Sequence, residues 1–120
     1  MLNVHVEKLG EMAVVQCEGR IVRSEAAFKL REAVTSQADA RIIVVELSEV
    51  GALEGGGLSM LVFLQRWAQD HDIRLKLFNP RGPVRSRLQH VSSMREFDIA
   101  SLDEMMALMA RAELPYAHAS

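Results

Sequence analysis

Leu2, Val4 and Val6 alternate with Asn3, His5 and Glu7 at the start of the chain. A period of two is that of a strand with one face buried, so the pattern predicts a strand over 2–8. Leu9-Gly10-Glu11 makes a short turn. Met12-Ala13-Val14-Val15-Gln16-Cys17-Glu18 reads as a second strand, ended by Gly19, and the two form a hairpin. Ser24 then sits where an N-cap is needed, with Glu25 in the first helical turn. From 25 to about 37 the spacing becomes helical. Ala26, Ala27, Leu30, Ala33 and Val34 share one face and Phe28 falls near the opposite one, where a partner protein could use it. Residues 41–46 include four consecutive apolar, mostly β-branched positions. Such a run suits a central strand buried on both sides.

After that strand come Gly55, Gly56 and Gly57, and then an apolar helix from about 57 to 70 or 71. At 100° per residue, Met60, Leu61, Leu64, Trp67, Ala68 and His71 form one arc, which is assigned to the core. Ser59, Gln65, Arg66, Gln69 and Asp70 form the polar arc. Leu58 and Val62 lie within that polar sector, one turn apart at the glycine end. They make either a docking patch or a surface that a neighbouring loop covers. Residues 74–78 alternate as a strand, 79–83 form a loop with Pro83 in a first helical turn, and Val84, Leu88 and Val91 mark a short helix. Residues 97–100 form a short strand. Ser101 with Glu104 is a capping box that opens a last helix, with Leu102, Met105, Met106, Leu108 and Met109 as its apolar residues.

The element order is β-β-α-β-α-β-α-β-α. It predicts a single α/β domain over 1–112: a mixed, mainly parallel sheet of four to five strands, about four helices, and a β-hairpin at its start. The segment 113–120, with Pro115 and no periodicity, reads as a loose tail.

Composition narrows the function. Apolar residues make up 49% of the 120, charged residues 25%, and the net charge is -2, the balance of a soluble globular domain. A mildly acidic chain argues against nucleic-acid binding, which usually needs a basic face. Apolar runs fall well short of the about 20 residues of a membrane span, so direct membrane insertion is not expected. The N-terminus lacks the pattern of a signal peptide, and cytoplasmic residence follows as the expectation. Cys17, the single cysteine, lies in an apolar strand and reads as a buried structural thiol. The four histidines show no metal-ligand spacing, and the seven methionines read as gap-filling core. No catalytic motif is present, and no cofactor is expected. The glycine run lacks the G-K-[ST] ending of a P-loop and is not in the first strand–helix turn, where a dinucleotide fingerprint would sit. No Lys or Arg lies between Arg41 and Arg66 in sequence, which weighs against an anion at the glycines.

The run Glu46-Leu47-Ser48-Glu49-Val50-Gly51-Ala52-Leu53-Glu54-Gly55-Gly56-Gly57-Leu58-Ser59-Met60-Leu61 resembles the central motif of the STAS domain family (sulfate transporter and anti-sigma factor antagonist). Gly19 closing the second strand and Leu88…Phe97-Asp98-Ile99…Ser101-Leu102-Asp103-Glu104 extend the resemblance from about Val4 to Met109. It implies a STAS-type fold and a non-enzymatic protein-binding module that works by partner switching with an anti-sigma factor of the serine kinase type, or a related signalling protein. The family motif carries an Asp and then the Ser or Thr that the kinase phosphorylates. Here Glu54 stands for the Asp, Gly55 occupies the acceptor position, and Gly56 replaces a second hydroxyl residue. Gly57 and Leu58 match. The resemblance therefore implies a module that cannot be phosphorylated at the family site. Glu54, Gly55, Gly56, Gly57, Leu58, Ser59, Val62 and Arg66 are its expected partner-binding residues. Ser48 and Ser59 are nearby hydroxyls outside the acceptor register. The alternative is a STAS scaffold or ligand-binding subunit of a lipid-transport or signalling complex. Partner identity and oligomeric state are not encoded in any feature of the sequence.

Overall fold

The computed structural model describes residues 2–92 and 97–119, without the side chains of 91, 92 and 113–119. Val91, assigned to the core from its spacing, thus has its side chain outside the described residues, as does Ser120 of the tail.

The described elements are β1 (Leu2–Leu9), β2 (Met12–Ile21), α1 (Ser24–Thr35), β3 (Ile42–Leu53), α2 (Gly56–Asp70), β4 (Arg74–Phe78), α3 (Gly82–Ser92), β5 (Ile99–Ala100) and α4 (Leu102–Ala119). They form one sheet in the order β1-β2-β3-β4-β5. The β1–β2 hairpin is antiparallel and every later pairing is parallel. This is the element order, hairpin start and mainly parallel sheet that the pattern predicts. When strands follow one another across a sheet through right-handed crossovers, their connecting helices fall on the same side. Accordingly Leu30 and Val34 of α1, Leu61, Leu64 and Ala68 of α2, and Val84 and Leu88 of α3 share one core with Val15, Cys17, Ile43, Val45, Leu47, Leu75 and Leu77. The alternate strand residues Met12, Val14 and Val44 face the other way and pack under Met105 and Leu108 of α4. β3 is buried on both sides, which is why its sequence does not alternate.

Several boundaries differ from the sequence reading. β2 continues past Gly19 to Ile21, and β3 past Glu46 to Leu53. Their ladder passes through two register shifts between Gln16 and Arg20, and a bulge absorbs a residue without ending the pairing. The N-cap of α1 is Arg23, with no side-chain cap, because the helix starts one residue early: the Ala27 amide already donates to the Arg23 carbonyl at 3.0 Å. Ser24 is thus the first helical residue. α4 is helical to Ala119, where a loose tail from Glu113 is expected. Ala112, Glu113 and Leu114 favour its continuation, and Pro115, which has no backbone N–H to donate, lies within it. Its start is as read: the Glu104 amide donates to Ser101 Oγ at 3.1 Å and the Ser101 amide to Glu104 Oε1 at 3.2 Å.

Lys76 is the one cation in the core among the described residues. Its side chain is 4% exposed, and its ammonium reaches Asp98 Oδ2 at 2.8 Å and Glu104 Oε2 at 3.4 Å. It thereby ties β4 to the entry of β5 and to the first turn of α4. The Ser101 amide first, and Lys76 after it, hold the Glu104 carboxyl below its ordinary value of 4.5. A depressed carboxyl contributes stability that is present above its unfolded pKa and lost as pH falls through the lower folded value. Docking of α4 should therefore weaken on acidification below about pH 4.5, read as faster amide exchange in α4. Glu104→Gln should flatten that pH dependence. An α4 whose exchange keeps the same acid dependence in Glu104→Gln would refute the assignment.

Candidate functional site

β2 and β3 both end beside the glycine run. The Glu54 amide donates to the Ile21 carbonyl at 3.2 Å, which draws the loop against the end of β2. A Cβ on Gly57 would lie 2.0 Å from that same carbonyl oxygen and 2.6 Å from Ile21 Cγ2. Here only a residue without a side chain lets α2 start so close to the sheet. Gly55, the N-cap of α2, has φ 52° and ψ -118°, a region that L residues with a side chain avoid. Gly56 has nothing within 4 Å of its Cβ position. The three glycines therefore differ: one is demanded by a contact, one by its backbone, and one by neither.

Glu54 points across to α3, where Arg87 Nη2 donates to its Oε1 at 2.6 Å. The loop without a nearby base in sequence thus has one in space. Arg23 reaches the same end from the start of α1, lining a groove of about 470 Å³ with Val22, Ser24, Phe28, Gly56 and Met60. The glycine end lies at the carboxyl ends of the parallel strands, where open α/β sheets place their sites. Another hollow, about 1040 Å³, is at the other end of the sheet, among Glu11, Arg41, Arg74 and Arg111. It contains none of the residues singled out by the motif.

On α2, Leu61, Leu64 and Ala68 are buried as the wheel predicts, and Met60 and Trp67 are half-buried beside them. His71 is exposed, contrary to its place on the core arc. The helix stops there, and the ring folds back, with Nδ1 2.8 Å from the Trp67 carbonyl oxygen and its centroid 4.7 Å from the Trp67 ring. Of the expected partner-binding residues, Glu54, Gly55, Gly56, Ser59 and Arg66 are exposed, Val62 is half-buried and Gly57 is buried. Leu58 is half-buried and packs on the core. Two exposed aromatic rings flank the seam between α1 and α2, Phe28 on α1 and Phe63 on α2. Phe63 is 45% exposed and Phe28 55%. Arg31 of α1 stacks its guanidinium 5.3 Å from the Phe63 centroid, joining the two helices across the seam. Phe28 was legible as an aromatic on a polar face. Phe63, Arg31, Arg87 and Arg23 were not, because their relevance depends on which helices become neighbours.

The other chemistry is quiet. Burial, and then the charge of Glu46, push the Cys17 thiol up to about 12, so it stays protonated and unreactive near neutral pH. Ser48 donates its hydroxyl to Glu46 at 2.8 Å within β3, away from the glycines. Among the described residues no group of three His, Cys, Asp or Glu side chains is placed to hold a metal ion. No described helix is long and apolar enough to cross a membrane.

A family model described as the STAS domain matches residues 3–107. No curated protein matches the chain in sequence. Among solved structures, an anti-sigma factor antagonist from Mycobacterium paratuberculosis superposes with a TM-score of 0.73 at 22% identity, covering 92% of this chain and 95% of that one. The anti-sigma factor antagonist SpoIIAA in its unphosphorylated form gives 0.70 at 16% identity, with 87% and 93% covered. The phosphorylated form of SpoIIAA, a Bacillus cell fate determinant, gives 0.66 at 16% identity, with 88% and 97% covered. At these identities the likeness is one of fold.

Proposed function

We propose, from the premise that this chain belongs to the STAS domain family, that it is a cytoplasmic anti-sigma factor antagonist-like module that binds its partner without a phosphorylation switch at the family site. The partner is an anti-sigma factor of the serine kinase type or a related signalling protein, held at the glycine end of α2 and the adjoining α1–α2 seam. The observation that carries this reading is Gly55. The position that the resemblance assigns to the phospho-acceptor has no hydroxyl, and its backbone is held in a conformation suited to glycine. SpoIIAA has been solved in both its unphosphorylated and its phosphorylated form. A phosphoserine adds nearly two negative charges, enough to eject a partner from an interface. In this chain Glu54 already supplies one carboxylate, and Arg87 neutralises it. The exposed Phe28 and Phe63 supply apolar anchors next to that loop.

The reading is tested with the serine kinase-type anti-sigma factor of the same host. Binding should persist unchanged when ATP is added, and the protein should carry no phosphate by mass. Gly55→Ser supplies the missing hydroxyl at a strain of about 1–3 kcal/mol. Release by ATP in that variant alone would show that only the acceptor is lacking. Release of the native protein by ATP, with phosphate on it, would defeat the proposal. Co-purification with a membrane transporter ATPase, and no affinity for the kinase, would favour the scaffold alternative.

A further inference from the structure

At the amino-terminal end of its parallel strands the sheet finishes in one row. Leu9, Met12, Ile42 and Arg74 are the terminal residues of β1 to β4 there, and each pairs with the next across the ladders. Paired residues turn their side chains to one face, here the face that α4 covers. α4 brings Leu108, Arg111 and Ala112 to this end, at i, i+3 and i+4 on one of its sides. A Cβ on Gly10 would lie 3.3 Å from the Ala112 carbonyl oxygen, so the helix passes close to the β1–β2 turn. The hollow of about 1040 Å³ opens here, lined by the helix and the strand row together. Its apolar wall is made by Met12 and Leu108, which are buried, and by Leu9, Ile42 and Ala112, which are half-buried. Its cations come from three elements: Arg74 from β4, Arg111 from α4, and Arg41 from the residue before β3. Glu11 and Asp72 are the carboxylates that line it. Glu11 engages Arg41 at 3.4 Å, whereas the side chains of Arg74 and Arg111 have no ion pair among the described residues.

We propose that this hollow binds a single-chain amphiphilic anion, with a carboxylate or phosphate monoester head on Arg74 and Arg111 and an apolar chain laid along Leu9, Ile42 and Ala112. A guanidinium presents paired N–H donors that match the two oxygens of a carboxylate or phosphate. The chain as a whole carries a net charge of -2, so the three guanidiniums reverse its sign locally. The volume is that of a site for a small organic molecule. A small inorganic anion would use the arginines alone and leave the apolar wall in water. A neutral apolar molecule would use the wall alone and leave both arginines unpaired. A head and a tail on one molecule use both. The ligand joins α4 to the ends of four strands, so it bridges the two faces of one cleft. The site lies at the opposite end of the sheet from the glycine loop and does not depend on what that loop binds.

The test is an amide NMR titration of the full chain with sodium decanoate below its micelle concentration. Binding should saturate at one molecule per chain and shift the amides of Gly10, Ile42, Arg74 and Arg111, leaving Gly55 to Gly57 in place. Each methylene taken out of water is worth about 4-fold in affinity, so decanoate should bind at least about 30-fold more tightly than butyrate. Decanol, with the same chain and no charge, should bind at least about 10-fold more weakly than decanoate. Arg74→Gln and Arg111→Gln, at exposed positions without ion pairs, should keep the fold by circular dichroism and each weaken decanoate binding by about 10-fold. Phosphatidylglycerol vesicles form the second arm, and the chain should not sediment with them. Absence of saturable binding, equal affinity for butyrate and decanoate, or unchanged affinity in both arginine variants would each overturn the proposal. So would binding to the vesicles with none to monomeric decanoate, which would make the arginines a membrane-surface contact.

Discussion

Gly57→Ala should destabilise the protein by about 3 kcal/mol or more, lowering the melting temperature by roughly 12 °C for a chain of this size. The added methyl group would be placed 2.0 Å from the Ile21 carbonyl oxygen and 2.8 Å from its carbon. Those are backbone atoms, so no side-chain rotation relieves the clash. α2 must move off the end of β2, and its buried Leu61 and Leu64 must move with it. Ile21 is itself fully buried and its carbonyl also receives the Glu54 amide, so the strand end cannot simply swing away. Gly56→Ala is the internal control. That position has open space, and φ is not positive. An alanine there reduces the freedom of the unfolded chain and should stabilise by about 0.4–1 kcal/mol. Thermal melts of the two variants side by side check the contrast. Equal shifts in both would mean that the approach of α2 to β2 is not what Gly57 serves.

Phe28→Asp should weaken binding to the proposed kinase-type partner about 30-fold or more, and Phe63→Asp by a similar factor, since an aromatic anchor in a protein interface commonly carries 2 kcal/mol or more. Both rings are exposed, so the substitutions expose no core and should leave the melting temperature within a few degrees. Phe63→Asp also removes the ring under Arg31, a surface contact worth about 0.5–1 kcal/mol. The measurement is titration calorimetry against the same partner, with circular dichroism to confirm the fold. Unchanged affinity in both variants would take the α1–α2 seam out of the interface. Leu58→Asp would be a poorer probe. Leu58 packs on the core, so lost binding there would be confounded by lost folding.

The contrast between Leu58 and Phe63 illustrates how far periodicity reaches. A helical wheel ranks positions by angle alone. It put Leu58 and Val62 in the polar sector, and both are half-buried, Leu58 against the core. It could not report that the α1 side of α2 would leave Phe63 open. His71 was placed on the core arc by the same angle, and it is exposed because the helix ends there and the ring folds back onto Trp67. Strand ends were misjudged for a related reason. Gly19 breaks a local pattern, yet the β2–β3 ladder continues through a bulge that pairing with another strand sustains.

The sequence alone determined the element order, the hairpin, the doubly buried central strand, the capping box at Ser101 and Glu104, and the family motif without hydroxyls at Gly55 and Gly56. These depend on spacing of two or 3.6 residues, on side-chain chemistry at single positions, or on a contiguous run, all of which are local. Tertiary structure decided the rest. It brought Arg87 onto Glu54 from 33 residues away, set Gly57 against Ile21, buried Lys76 between Asp98 and Glu104, and left Phe28 and Phe63 together on an open seam. Each of these is a meeting of elements distant along the chain. Which elements meet depends on the handedness of the crossovers and on which sheet face each helix covers, and no local spacing carries that information.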